Sequence, residues 1–243
     1  MQKILDGISE MKILAVDKTI RRLCVEVQSD RRDLQCWSSR TEENLLYEAC
    51  VCMFSSQMVF ELAEATAKRL RDSELLLTKN LTDYEQRIST VLSEPLTICQ
   101  RGQTRKVRPR FKNRLASLLA TTVLSMRAQS ASIHGTLTSA HTAREARELL
   151  INLIWGFGPK QASLFLRRVG YCSELAVLDT HILDYLRVAR GIDPKPNVLS
   201  RISGYEKIEA EFQSVAAEFG HPVGCVDLAM WVTMRVAKRE AFW

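Results

Sequence analysis

Leu153-Ile154-Trp155-Gly156-Phe157-Gly158-Pro159-Lys160-Gln161-Ala162-Ser163 is the stretch on which the reading of this chain turns. A helical pattern from Thr142 to Ile154 runs into Gly-x-Gly, and a second helix begins at Pro159. Gly156 and Gly158 can take positive φ and strip the turn of side chains, so another backbone can approach closely. Pro159 suits the first turn of a helix, where its missing N–H costs nothing. The N–H groups exposed there, with the helix dipole, favour an anion such as phosphate. Gly-x-Gly alone reads equally well as a plain turn between helices.

A second stretch narrows that choice. Ala176-Val177-Leu178-Asp179-Thr180-His181-Ile182-Leu183 is an apolar run, then Asp, then another helix. Asp179 stands where a helix N-cap is wanted. It lies 19 positions beyond Lys160, room for one helix and a short loop doubling back, so that both groups face one cleft.

Outward from these motifs the pattern is helical almost throughout. Thr41 to Arg71 reads as one long helix, with Leu45, Leu46, Ala49, Met53, Val59, Phe60 and Leu62 at helical spacing. Thr41-Glu42-Glu43-Asn44 resembles its start, a cap followed by an acidic turn. Further helices are expected at about 83–93, 112–130, 142–154, 159–169, 180–190, 201–219 and 224–238. Residues 94–109, with Pro95, Gly102 and Pro109, read as a loop, as do residues 191–197, with Pro194 and Pro196. No strand pattern, repeat or low-complexity segment stands out. The expectation is an all-α chain.

Composition bounds the function. The 243 residues suffice for one sizeable core or two helical lobes around a cleft. No apolar stretch reaches the roughly 18 residues of a membrane span, and the N-terminus lacks the apolar core of a signal peptide. An intracellular protein without a membrane partner is expected. The net charge of +6 suits a polyanion without proving one. The seven cysteines, at 24, 36, 50, 52, 99, 172 and 225, are an odd number without a CxxC pair. They read as free thiols, mostly buried. His134, His141, His181 and His221 are scattered, so neither a metal nor a cofactor is expected.

Gly156 to Gly170 followed by Ala176 to Leu183 resembles the lysine-dependent branch of the helix-hairpin-helix (HhH-GPD) DNA glycosylases, in particular the archaeal-type 8-oxoguanine DNA glycosylase/AP lyases. That branch carries "ASHFLR-NVG" and "ILDRHIL"; here Leu164 replaces the usual His and Thr180 the usual Arg. Arg110-Phe111-Lys112-Asn113-Arg114-Leu115-Ala116 resembles its "RF-x-N-x-KA" segment. Val226-Asp227-Leu228-Ala229-Met230-Trp231 resembles "LDLYLW", and Phe54-Ser55-Ser56-Gln57 resembles an early helix turn. The echoes span about residues 41–240; the first 40 resemble nothing.

The resemblance implies a two-lobed helical fold. Residues 41–158 would form a central helical barrel lobe ending in the hairpin, and residues 159–243 a C-terminal lobe carrying the catalytic residues. Residues 1–40 would be a helical segment packing with that lobe. It implies double-stranded DNA containing an oxidised purine as partner, a monomeric enzyme of base excision repair, Lys160 as nucleophile and Asp179 as its partner. A neutral amine can attack C1′, displace the base and form a Schiff base. That imine acidifies the 2′ hydrogen, so strand cleavage by β-elimination follows. The flipped base needs aromatic faces. Phe111 and Trp231 match the family's stacking residues, although core packing is the competing reading for both and an equal one for Phe111. Gln57 would probe the gap left by the base or cap a buried carbonyl. Gly156, Gly158, Arg110 and His181 would meet DNA, and the run from Arg101 to Arg114 is either a phosphate patch or a solvated loop. In the family the C-terminus reaches the lesion pocket and usually ends in Lys. Here Trp243 takes that place, which leaves open the same chemistry on another modified base. A catalytically silent DNA-binding module is the third reading.

Overall fold

The computed structural model describes residues 2–30, 36–100 and 102–239. In chain order the elements are α1 (Gln2–Asp30), α2 (Glu42–Phe54), α3 (Phe60–Asp72), α4 (Tyr84–Ser93), β1 (Leu96–Gln100), β2 (Gln103–Val107), α5 (Lys112–Ala128), α6 (Ile133–Ser139), α7 (Ala143–Leu153), α8 (Pro159–Arg168), α9 (Thr180–Arg190), α10 (Pro196–Leu199), α11 (Ile202–Phe219) and α12 (Val223–Arg239). The architecture is all-α apart from one two-stranded hairpin. Among the described residues no helix is long and apolar enough to cross a membrane.

The chain forms two compact units, residues 35–171 and residues 1–34 with 172–243. The break therefore follows Tyr171 rather than Gly158, because α8 packs on α7 and α2. Arg168 Nε donates to Glu48 on α2 at 2.7 Å, and the buried Arg147 on α7 donates to the buried Ser163 hydroxyl on α8 at 3.3 Å.

Within residues 35–171, α2 is the central helix, with Leu45, Leu46 and Ala49 through Phe54 all buried. Thr41 caps it by accepting from the Asn44 N–H at 3.2 Å. The long helix expected over 41–71 is broken after Phe54. Ser55 and Ser56 donate their hydroxyls back to the carbonyls of Cys52 and Met53, at 2.9 and 2.7 Å, which competes with continued helix. Val59 is then extended, and α3 starts afresh.

Residues 94–109 are also not a plain loop. β1 and β2 pair antiparallel from Leu96↔Val107 to Gln100↔Gln103. Leu96 and Ile98 pack against Leu62 of α3. Strand periodicity is visible in β1 alone, since residues 103–106 are all exposed. The short α6 is a further addition. Ser132 caps it locally, and the Glu42 carboxylate accepts from the N–H groups of Ile133 and His134 at 2.6 and 3.0 Å.

In the other unit, α1 packs along α12 and brings Ile20 and Cys24 into a core with Tyr205, Phe212, Val226 and Met230. Tyr185 of α9 donates to Asp17 of α1 at 2.8 Å. Gly191 and Gly220 end α9 and α11 in the left-handed conformation. The loop expected over 191–197 is present through Lys195, and its last two residues begin the single turn of α10.

All seven cysteines are free; Cys24, Cys50, Cys52 and Cys225 are buried, whereas Cys36 and Cys99 are exposed. Burial pushes the Cys24 thiol up to about 11 and the Cys52 thiol to about 12. A hydrogen bond with Ser38 lowers the Cys36 thiol instead. Since the thiolate is the nucleophile, iodoacetamide at neutral pH should label Cys36 first, and Cys24, Cys50 and Cys52 only after unfolding. Equal native labelling of Cys50 and Cys36, read by peptide mass spectrometry, would contradict the packing of α2.

Candidate functional site

The hairpin between α7 and α8 is fixed from both sides. Thr142 caps α7, and the Glu145 carboxylate accepts from the His141 N–H at 2.8 Å. After Ile154 the Trp155 N–H donates to the Thr122 hydroxyl of α5 at 3.0 Å, which ties the turn to that helix. The Phe157 N–H closes the turn onto the Ile154 carbonyl at 3.1 Å, and its ring is buried. Trp155 stays 54% exposed.

The two glycines are needed for different reasons. Gly156 has φ +86°, and a Cβ there would lie 3.0 Å from Leu118 Cδ1, so conformation and packing both demand glycine. Gly158 has φ −119° and ψ −176°, open to any residue. A Cβ there would meet only the Gln161 side chain, at an ordinary 3.6 Å. Among the described residues nothing requires glycine at position 158, which is half-buried. No side chain caps α8, and Pro159 occupies its first turn. An uncapped N-terminus beside bare backbone can receive an anion.

Lys160 follows at once, half-buried at the second position of α8. Its charge, with those of Arg168 and Arg167, bears on the buried Cys52 thiol, which places the lysine near α2. Phe111 is the N-cap of α5, at φ +57° with 60% of its surface exposed. Exposure rules out the core-packing reading, and a left-handed aromatic residue is strained backbone. Arg110 beside it is exposed. Gln57 lies half-buried in the α2–α3 turn, its amide touching only the Ser56 hydroxyl at 3.4 Å; it is not a buried cap.

The second group is built in the other unit. Asp179 caps α9, its Oδ1 accepting from the N–H groups of His181 and Ile182 at 2.9 and 3.1 Å. Both cap bonds fall on one oxygen, leaving Oδ2 outside the cap. The segment leading to it, Leu175 to Leu178, is buried without a strand partner. Three side chains from α11 and α12 satisfy three of its four N–H groups. Glu209 accepts from Ala176 at 2.9 Å, Asp227 from Val177 at 2.6 Å, and the Tyr205 hydroxyl from Leu178 at 3.0 Å. Tyr205 in turn donates to the Ala176 carbonyl at 2.9 Å. Sequence reasoning misses these three residues; the available signal is Glu209 standing at helical spacing in the apolar row of Tyr205, Phe212, Ala216 and Phe219, and Asp227 among the apolar residues of 225–231. Trp231 is half-buried, with His181 edge-on at 6.1 Å and the Arg235 guanidinium 4.9 Å above its ring.

Lys160, Gly156 and Gly158 thus share one unit, and Asp179, His181 and Trp231 the other. Trp243 lies outside the described residues. Among the described residues no three His, Cys, Asp or Glu side chains group as a metal site would need.

A family model described as 8-oxoguanine DNA glycosylase (Ogg-HhH) matches residues 27–221. The chain belongs to this family. The Ogg-HhH match contains the hairpin, Lys160, Asp179, Phe111 and Gln57, and stops short of Trp231. The 8-oxoguanine DNA glycosylase/AP lyase of Metallosphaera sedula is 44% identical over 91 residues, 36% of this chain and 40% of that protein. For the counterpart from Thermoplasma volcanium the figures are 38% over 95 residues. The chain thus spans less than half the length of these two relatives, 40% and 44%. The Methanocaldococcus jannaschii counterpart is 27% identical over 200 residues, 82% of this chain and 84% of that protein. Its crystal structure with 15mer DNA containing 8-oxoguanine superposes with a TM-score of 0.61 at 24% identity, covering 89% of this chain and 87% of that one. The 8-oxoguanine DNA glycosylase of Thermotoga maritima gives 0.68 at 19% identity, covering 92% and 95%. The fold is therefore that of the Ogg-HhH glycosylases.

Substitutions at three positions test how the Ogg-HhH elements are held. Gly156→Ala should cost about 1–3 kcal/mol, because it combines a left-handed φ with a clash at Leu118, whereas Gly158→Ala should leave the melting temperature nearly unchanged. Equal losses would mean that Gly158 is structural too. Asp227→Ala strands the Val177 N–H and should cost about 1–3 kcal/mol, with Asp227→Asn recovering most of it because a carbonyl acceptor remains. Chemical denaturation of the three proteins compares them directly.

Proposed function

We propose that this protein is a DNA glycosylase with AP-lyase activity that removes 8-oxoguanine from double-stranded DNA. The observation that carries this reading is the Ogg-HhH match over residues 27–221, in which Lys160 lies in the first turn of the uncapped helix that follows Gly158. The bare Gly158 backbone and the free N-terminus of α8 receive a DNA phosphate, which sets the strand at the hairpin. The neutral Lys160 amine attacks C1′ of the damaged nucleotide. The C1′–N9 bond breaks, and its electron pair leaves with the base, which takes up a proton. Asp179, with Oδ2 outside its cap, stabilises positive charge developing on the sugar. Loss of the ring-oxygen bond to C1′ gives the Schiff base. Removal of a 2′ proton then expels the 3′ phosphate.

The exposed Phe111 ring supplies a stacking face for the extruded base, and Trp231 a second one. Arg110 and His181 contact the backbone, and Gln57 fills the space the base vacates. The strain at Phe111 is compatible with a residue held for its ligand rather than its packing. The enzyme works as an intracellular monomer and needs no cofactor, since the amine replaces an activated water. The same chemistry on another modified base is the second reading. It is favoured by Leu164 and Thr180, which differ from the family's pattern on α8, which carries Lys160, and on α9, which Asp179 caps.

Borohydride should trap a covalent complex on a duplex bearing one 8-oxoguanine, and Lys160→Gln should lose it by at least about 100-fold while keeping DNA affinity. Trapping on an abasic site but not on 8-oxoguanine would redirect the reading to another base. Trapping on neither would leave a DNA-binding module.

A further inference from the structure

Seven of the chain's 34 Lys and Arg residues fall within residues 95–114, which contain no Asp or Glu. Outside this segment 27 cations face 28 acidic residues. The net charge of +6 is therefore a local property of 20 residues, those of the β1–β2 hairpin and the chain leading into α5.

The structure sets these cations out in order. Leu96 and Ile98 turn inward against Leu62, so the opposite face of the hairpin presents Thr97, Cys99, Thr104 and Lys106, all exposed. Beyond β2 the in-and-out alternation continues. Lys106, Arg108 and Arg110 are exposed, whereas Val107 is half-buried and Pro109 buried. Three cations thus share one edge at two-residue spacing, about 6.6 Å apart for extended chain. Among the described residues, none of Arg105, Lys106, Arg108, Arg110 and Arg114 makes an ion pair with a carboxylate. Such spacing costs like-charge repulsion and contributes nothing to the core. The edge runs directly into Phe111, the strained and exposed aromatic residue.

We propose that the hairpin and residues 106–110 form an arm that tracks the phosphodiester backbone of duplex DNA, whether or not the duplex carries a lesion. The inference rests on the reading of DNA as substrate but assigns a separate role, retention on undamaged DNA with the backbone delivered beside Phe111. A regular row of unpaired cations matches a regular row of phosphates, and each contact releases condensed counterions. Contacts to phosphates position the strand and carry no sequence information, so the arm has no sequence preference.

The test is the salt dependence of binding to a lesion-free duplex, followed by fluorescence anisotropy. Removing two phosphate contacts with Lys106→Gln/Arg108→Gln should make the slope of log Kd against log salt shallower by about 1.8. Lys106→Arg/Arg108→Lys should keep the wild-type slope. Lys18→Gln/Lys207→Gln removes equal charge from exposed sites in the other unit and should change the slope little. An unchanged slope in the first variant, or an equal loss in the last, overturns the arm. Loss of binding to anionic phospholipid vesicles with the duplex slope intact also overturns it, by assigning the edge to a lipid surface. A wild-type protein that excises nothing, yet shows the slope change, would sink the glycosylase reading and leave the arm standing.

Discussion

A buried stretch of extended backbone with no neighbouring strand has to find hydrogen-bond partners among side chains. An unsatisfied N–H in that position costs about 1–3 kcal/mol. Residues 175–178 meet this demand through Glu209, Asp227 and Tyr205, each itself buried. The three come from α11 and α12, so the packing of those helices decides where the segment lies. The segment in turn fixes the N-cap of α9, which is Asp179. Two buried carboxylates are expensive unless hydrogen-bonded. Their cost is offset by backbone donors, and the result is a rigid seat for a residue whose second oxygen stays outside the cap.

The hairpin obeys a related logic on the other side of the motif. Gly156 is fixed by the protein's own geometry, through a left-handed φ and the close approach of Leu118. Gly158, by contrast, answers to no internal constraint, and neither does the missing cap on α8. Gly158 and the open end of α8 are what the proposed phosphate contact accounts for. Arg147, fully buried and bonded to Ser163, links α7 to α8, the helix that carries Lys160.

Much of this was legible because the signals are local. Thr41, Thr142 and Asp179 are caps wherever they precede a helical pattern, and their bonds are all present. Gly191 and Gly220 mark helix ends for equally local reasons. What stayed hidden depends on residues far apart in the chain. α6 is a seven-residue helix without a clear apolar stripe, held by Glu42 from 91 residues away. The β1–β2 hairpin needs the surface of α3 before its alternation has meaning. The seat of Asp179 needs three side chains that follow it by 26 to 48 positions. The break at Ser55 and Ser56 was in reach, since paired serines after an apolar helix compete for its last carbonyls, but helical periodicity across the break outweighed that local signal.

The departures from the family pattern point the same way. Leu164 is half-buried on α8, and Thr180 is exposed at the start of α9. Neither position supplies a cap, a left-handed turn or a core contact that the fold needs. Of the matching residues, Gly156, Pro159, Ser163 and Asp179 have a physical duty inside the protein. The framework of this fold therefore tolerates Leu164 and Thr180, because neither bears on it. Likeness to a family is most informative about the framework, and the proposed reading of the base has to rest on positions that the framework leaves free.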